Sequence, residues 1–172
     1  MRALTVFLLA TVLPALADPV HGPAHPAARS LGKFGEWQVA IHKSADGNPA
    51  SSTCFTFTRS EAFPHAVAGH SEAVLSVTRR PGRHDVAALS AGFTLAGRED
   101  APLQAGATRM LFYVAGRSAF AHDNAAAIAV FGHEQSVTAR LTGPRGGAST
   151  DRFSLKGFAS AYAAMGQACP VR

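Results

Sequence analysis

Cys54 and Cys169 are the two side chains of this 172-residue sequence with the clearest capacity for chemistry. Two cysteines in an exported protein form a disulfide by default. Here the bond closes a loop of more than a hundred residues, for which the chain-entropy model allows a stabilisation on the order of 4 to 5 kcal/mol at most. Two alternatives stay open: both thiols are free and buried, or one of them is a nucleophile.

Eight histidines also invite a search for catalytic or metal-binding patterns. Those of the domain form neither His-x-His nor His-Glu-x-x-His, and Gly132-His133-Glu134 comes closest. The adjacent Glu99 and Asp100 lie in a polar turn, where solvated charge is the ordinary explanation. No Gly-x-Ser-x-Gly motif or phosphate-binding loop is present. We therefore expect no catalytic, metal-binding or cofactor-binding residues and no enzyme, although a Ser, a His and an Asp from separate loops can still meet in space.

The first residues have the pattern of a signal peptide. A short basic start precedes the apolar run Ala3 to Leu13, and Ala15-Leu16-Ala17 is a small-x-small cleavage site. We assign residues 1–17 to the signal peptide, with cleavage after Ala17, and predict a periplasmic or secreted protein. Neither this run nor any later segment is long enough to span a membrane.

The mature chain is long enough for one domain. Residues 18–31 contain prolines and histidines without apolar periodicity, so we expect a flexible leader there. Residues 32–172 then form a single domain with one core.

The net charge is modestly positive. Removal of Arg2 with the signal peptide leaves 15 of the 16 basic residues and all 11 acidic residues, so the net charge of the mature chain is +4. The densest basic cluster is Arg79, Arg80 and Arg83, around a predicted Pro-Gly turn. Without interleaved aromatic residues this cluster indicates a solvated turn and no nucleic-acid binding, while binding to an acidic surface stays open.

In the stretch from Asp151 to Cys169, the spacing of the apolar residues changes halfway from a strand pattern to a helix pattern. Its first half alternates, with Phe153 and Leu155 on one face, as in a half-buried strand. Its second half has a helical stripe that ends at Gly166 and consists of Phe158, Ala161, Tyr162 and Met165. We expect Gly157 to permit the sharp change from strand to helix, and the disulfide to lock the helix onto the domain.

Short alternating segments separated by Gly-containing turns make up the rest of the domain. In the first of them, Trp37, Val39 and Ile41 point inward. The further predicted strands are Cys54 to Thr58, Ala73 to Thr78, Asp85 to Ser90, Thr108 to Val114, Arg117 to Ala121 and Ser136 to Thr142. A helix from Asn124 to Phe131 is predicted between Asp123 as N-cap and Gly132 as stop.

These elements predict a mainly β fold, an antiparallel β-sandwich or flattened barrel with two short helices, one of them at the C-terminus. We expect Trp37, Phe153, Leu155, Phe158 and Tyr162 to fill the core, and the phenylalanines in general to be core residues and not a ligand platform. In Thr108 to Val114, apolar residues occupy both alternating sets of positions, which predicts a strand buried on both faces.

Four segments resemble the invasion-associated locus B family of exported bacterial proteins. They are Phe34-Gly35-Glu36-Trp37, the turn Val77-Thr78-Arg79-Arg80-Pro81, the Asp123-led alanine helix, and Ser154-Leu155-x-Gly157-Phe158-x-x-Ala161. The resemblance implies an exported β-rich domain that is associated in pathogens with entry into host cells. Many relatives carry a further cysteine where this chain has Ile41 and His42, so no second disulfide is expected. The family pattern carries over no catalytic residues.

The function expected from this reasoning is a non-enzymatic binding or interaction protein of the cell envelope, with an envelope or host protein as its unidentified partner. The alternatives are a small periplasmic hydrolase with a site assembled from loops, and a periplasmic chaperone or small-ligand binder.

Overall fold

The computed structural model describes residues 28–44, 51–61, 71–97 and 99–170, which form ten strands and two helices. The strands are β1 (Arg29–Phe34), β2 (Trp37–His42), β3 (Thr53–Arg59), β4 (Val74–Arg79), β5 (Val86–Ser90), β6 (Ala101–Ala105), β7 (Thr108–Ala115), β8 (Ser118–Ala121), β9 (Ser136–Thr142) and β10 (Ala148–Ser154). The helices are α1 (Asn124–His133) and α2 (Phe158–Ala168).

All ten strands belong to one antiparallel sheet in the order β1-β2-β3-β4-β5-β8-β7-β6-β9-β10. The sheet does not close into a barrel, but its two ends approach each other. The amide of Glu61, just after β3, donates a hydrogen bond to the Arg152 carbonyl of β10 (2.8 Å). The predicted fold class is confirmed: a mainly β antiparallel fold with two helices, one of them C-terminal.

The core lies on the inner face of the curved sheet. Alternate residues of every strand from β2 to β10 point into it, as the twofold period of a strand requires. Trp37, Leu75, Leu89, Phe112 and Phe153 are fully buried there. Both helices add to the same core, α1 with Ala127 and Phe131, α2 with Phe158, Ala161 and Met165. No helix among the described residues has the length and apolar character needed to cross a membrane.

Trp37 joins the beginning of the domain to its end. Its indole Nε1 donates a hydrogen bond to the Ser154 carbonyl at the end of β10 (3.0 Å). Its ring meets the Phe158 ring of α2 edge to face, with centroids 4.8 Å apart. Phe153, Leu155 and Phe158 are buried as predicted, whereas Tyr162 is half-buried.

Gly157 makes the turn from β10 into α2 in the left-handed region, with φ of 93°. A Cβ at this position would overlap the Phe34 carbonyl oxygen. On the other side of this contact, Gly35 also has positive φ and approaches the Lys156 carbonyl. The two glycines therefore allow the turn after β1 and the turn before α2 to touch backbone to backbone.

The start of the domain differs from the prediction. Arg29, Ser30 and Leu31 were expected in the leader but belong to β1, in which Arg29 and Ser30 pair with β2. This edge strand contains Gly32 and a register irregularity, which breaks the alternation that would have revealed it. The signal peptide and residues 18–27 of the leader lie outside the described residues.

Three other elements differ from the prediction. β6 was not predicted, because Pro102 is uncommon in an interior strand and the segment is short. Both helices pass the glycines that were expected to stop them: α1 continues through Gly132 to His133, and α2 through Gly166 to Ala168. Helical glycine costs only about 1 kcal/mol, which packing of a helix end readily outweighs.

The expectation for Thr108 to Val114 was wrong in one respect. In β7 only Met110 and Phe112 are buried, while Leu111 and Tyr113 are 45% and 46% exposed. The strand is thus buried on one face, and its apolar outward residues were mistaken for a second buried face. Those residues belong to the surface described below.

We predict that Gly157→Ala lowers the free energy of unfolding by about 2 to 4 kcal/mol, because the new Cβ is strained at this φ and also collides with Phe34. Denaturant unfolding measures the change. Gly116→Ala is the matched control: Gly116 also has positive φ, but nothing lies near its Cβ position, so its loss should be about 1 kcal/mol. Equal losses in the two variants would show that the backbone contact contributes nothing.

Candidate functional site

A disulfide joins Cys54 of β3 to Cys169, the residue that follows α2. The two cysteines are 115 residues apart in sequence, and their Cα atoms are 6.1 Å apart. The predicted pairing is confirmed. The bond fixes the C-terminal end of α2 to the inner face of the sheet.

A charged cluster lies beside this disulfide and consists of Arg79, Asp85 and Tyr162. Arg79 is the cross-strand neighbour of Cys54 at the end of β4. Its guanidinium donates to both carboxylate oxygens of Asp85, with Nε 2.8 Å from Oδ1. The Tyr162 hydroxyl of α2 donates to Asp85 Oδ2 (2.6 Å), and the guanidinium lies 5.2 Å from the centre of the Tyr162 ring. The cluster therefore ties the turn between β4 and β5 to α2.

The cluster shifts the pKa of all three groups. Burial alone raises the pKa of Asp85, but hydrogen bonds from Arg79 and Tyr162 and the positive charge of Arg79 outweigh it, so the pKa lies below its ordinary value. Burial and the neighbouring Asp85 carboxylate raise the pKa of Tyr162. The hydrogen bond to Asp85 raises the pKa of Arg79. The folded protein thus favours the ion pair with a neutral tyrosine.

The structure corrects the expectation of a solvated basic turn for one of its three arginines. The Arg79 side chain is only 11% exposed and is held by Asp85. Arg80 and Arg83 are exposed as expected. Sequence reasoning missed this difference because Arg79 falls on the inward parity of β4, a register that only the cross-strand pairing reveals.

The outer face of the sheet carries the candidate functional site. We use the name outer aromatic surface for five large apolar side chains that point away from the core: Phe55, Phe57, Leu111, Tyr113 and Phe120. The three phenylalanines are half-buried, and Leu111 and Tyr113 are the most exposed large apolar residues of the described chain. The expectation that phenylalanines are core residues is therefore wrong for Phe55, Phe57 and Phe120.

The sheet register arranges these side chains in two groups. Phe55 and Phe57 are two residues apart on β3, with ring centroids 5.9 Å apart. Tyr113 of β7 is the cross-strand partner of Phe120 of β8, and their rings stack with centroids 5.5 Å apart. Two strands, β4 and β5, separate the groups. Cross-strand stacking of this kind fixes the aromatic rings on the surface.

Polar groups border the second aromatic group. His122 packs against Tyr113, with ring centroids 5.5 Å apart, and its Nε2 lies 3.0 Å from Oδ2 of Asp100. Both side chains of this pair are exposed, and Asp100 is one of the two carboxylates that the sequence placed in a polar turn. Within the described ranges, no three His, Cys, Asp or Glu side chains come close enough together to hold a metal ion.

A polar cleft of about 440 Å³ lies where the two ends of the sheet meet. Its lining carries five charged residues: Lys33, Glu36, Arg59, Glu61 and Lys156. Two of them already have partners outside the lining, because Arg59 pairs with Glu72 and Glu61 lies 3.8 Å from Arg152. The outer aromatic surface, on which Leu111 and Tyr113 are exposed, is therefore the stronger candidate for binding.

The fold is an antiparallel β-sheet with a C-terminal helix packed on its inner face. One solved structure is similar to the chain. It is invasion associated protein B from Bartonella henselae, with a TM-score of 0.53 and 15% sequence identity over 78% of this chain and 94% of that chain. At this identity the similarity shows a shared fold. No protein-family model and no curated protein matches the chain.

We predict that the double variant Cys54→Ser/Cys169→Ser lowers the free energy of unfolding by about 2 to 5 kcal/mol, because the unfolded chain regains the freedom of a long loop. Denaturant unfolding under oxidising conditions measures the loss, and wild type with reductant should match the variant. If oxidised wild type and the variant have the same free energy of unfolding, the disulfide does not stabilise the fold and the prediction is wrong.

We predict that Asp85→Asn lowers the free energy of unfolding at pH 7 by about 2 to 3 kcal/mol, because Arg79 loses its ionic partner in a partly buried position. The folded pKa of Asp85 is lowered, so its stabilisation is present above the unfolded pKa of about 3.9 and is lost as the pH falls through the folded value. Wild type and variant should therefore converge in acid.

Asp100→Asn serves as the control for this experiment, since the Asp100 side chain is 39% exposed and its ionic partner among the described residues is the exposed His122. Its effect at pH 7 should stay below about 0.5 kcal/mol. A loss for Asp85→Asn that is constant from pH 7 to pH 3 would contradict the assignment of the pH dependence to this carboxylate.

Proposed function

We propose that this protein is an exported, non-enzymatic binding protein of the cell envelope that contacts its partner through the outer aromatic surface. One observation carries the proposal: Leu111 and Tyr113 are 45% and 46% exposed on a sheet face where further aromatic side chains gather. Exposed apolar side chains that gather on one face mark interaction sites in soluble proteins.

The outer aromatic residues are not needed to complete the core. The inner face already buries an apolar residue from every strand between β2 and β10, together with both helices. An outward Leu or Tyr therefore gains little from folding, and its contribution comes when a partner covers it. Tyrosine and phenylalanine are also residue types enriched in the buried centres of interfaces.

Export is supported by the signal-peptide pattern of residues 1–17 and by the disulfide, which suits an oxidising compartment. The fold shared with invasion associated protein B supports a relation to the invasion-associated locus B family. On this proposal the partner is an envelope or host protein.

We predict that Leu111→Ser/Tyr113→Ser weakens binding of the mature chain to an envelope fraction of its own cell by about tenfold or more, as expected when central apolar contacts are lost. Saturable binding of labelled protein, with unlabelled protein as competitor, gives the half-saturation concentration. Circular dichroism should match wild type, and thermal unfolding should change only slightly, because loss of the stacking of Tyr113 on Phe120 costs at most about 1 kcal/mol.

Gln104→Ser/Thr138→Ser is the matched control, since these polar residues lie on the same outer face, on β6 and β9, next to the aromatic surface. Its half-saturation concentration should equal that of wild type. If the Leu111/Tyr113 variant binds like wild type, or if binding never saturates, the proposed use of this surface is wrong.

A further inference from the structure

The two ends of α2 are held to the sheet by unequal packing. In the first part of the helix the side chains of Phe158, Ala161 and Met165 are buried. We use the name α2 end for the segment from Gly166 to Cys169, in which Cys169 has the one buried side chain. The disulfide of Cys169 is therefore the main attachment of the α2 end to β3.

Other polar contacts between the α2 end and the rest of the described chain are weak. The Arg79 guanidinium donates to the Cys169 carbonyl at 3.5 Å, which is long for a hydrogen bond. The Cys169 sulfur lies 3.9 Å from the Ser52 carbonyl oxygen, and a thiol is a weak donor. The Cys169 amide donates to the Met165 carbonyl (2.9 Å), but this bond lies within α2 and does not attach it to the sheet. Segments with so few buried contacts open locally, at a free energy below that of global unfolding.

The first part of α2 is attached without the disulfide. The Tyr162 hydroxyl donates to Oδ2 of Asp85 (2.6 Å), and the Arg79 guanidinium lies 5.2 Å from the centre of the Tyr162 ring. Nearer the start of the helix, Phe158 meets Trp37 edge to face. None of these contacts involves a sulfur atom. Breaking the S–S bond therefore frees the α2 end, while the rest of the helix stays on the sheet.

The two sulfurs also differ in their access to solvent. Cys54 is fully buried in β3, a strand that pairs with both β2 and β4. Cys169 is 9% exposed, and its neighbours Ala168 and Pro170 are exposed. Thiol–disulfide exchange requires access of the attacking thiolate to one of the two sulfurs. Attack therefore takes place at Cys169, with Cys54 as the leaving group.

We propose that the α2 end is a redox-controlled latch, which a dithiol reductant opens by attack on Cys169 and which oxidation closes. In the first step a thiolate of the reductant forms a mixed disulfide with Cys169, and Cys54 leaves as a thiolate. In the second step the other thiolate of the reductant attacks the reductant sulfur of the mixed disulfide, and Cys169 leaves as a thiolate. Both cysteines are then reduced and the reductant is oxidised to a disulfide. The open latch presents the Cys169 thiol to solvent, while Cys54 stays buried.

Thiol labelling of the folded, reduced protein tests the latch. The mature chain is reduced with dithiothreitol, desalted without oxygen and treated with N-ethylmaleimide at pH 7, and peptide mapping gives the labelling rate at each cysteine. Cys169 should react at least about tenfold faster than Cys54, because Cys54 becomes accessible only through a larger opening of the sheet. The single-thiol variants Cys54→Ser and Cys169→Ser are the matched controls, and each remaining thiol should keep its own rate.

Two further measurements locate the opening and the attacked sulfur. In amide hydrogen exchange, reduction should speed exchange of the α2 end by about tenfold or more and leave Ala161 to Met165 unchanged. Oxidised protein that is treated briefly with reduced glutathione and quenched with acid should carry the mixed disulfide on Cys169.

Equal labelling rates at the two cysteines would overturn the inference, because reduction would then open the whole domain. Protection of both thiols would also overturn it, since the latch would stay closed after reduction. Faster exchange along all of α2, or glutathione found mainly on Cys54, would contradict the local opening and the order of attack, respectively. None of these measurements involves the outer aromatic surface, so the proposed function is tested separately.

Discussion

The contacts of Trp37 are the constraint on which the rest of this structure depends. Its indole N–H holds the end of β10, and its ring packs on Phe158 at the start of α2. Strands from opposite ends of one sheet are thereby brought together around a side chain that is fully buried. Because the sheet is not closed by strand pairing, its two ends are held together by this contact and by backbone hydrogen bonds from Glu61 to Arg152 and from Glu36 to Lys156.

The position of α2 then follows from two further sets of contacts. Gly157 sets the direction in which the helix leaves β10, and the disulfide fixes its far end to β3. Between them, Tyr162 reaches Asp85 and Arg79. The ion pair is tolerable beside the core because each of its groups also has hydrogen-bond partners. The helix is consequently held at its start, middle and end by three different kinds of interaction.

The periodicity of apolar residues was sufficient to predict the strands and helices that have one apolar face. β2, β9 and the stretch from β10 into α2 alternate or repeat clearly, and the pairing of two cysteines needed only the assumption of an oxidising compartment. It failed where outward residues are also apolar. In β7, Leu111 and Tyr113 resemble core residues by type, and only the register shows that they face outward. The outer aromatic surface, which is the proposed binding surface, was therefore hidden by its own apolar composition.

The position of that surface has a mechanical consequence. Phe57 and Phe120 stand on strands that are paired on both sides, and Tyr113 stacks on Phe120. Their backbones cannot move without breaking sheet hydrogen bonds. On the proposed function, a partner would meet aromatic groups whose spacing is fixed before binding, so little conformational entropy would be lost on this side of the interface. The contacts of Trp37 on the inner face and the spacing of the aromatic groups on the outer face are then parts of one arrangement, because the same sheet carries both.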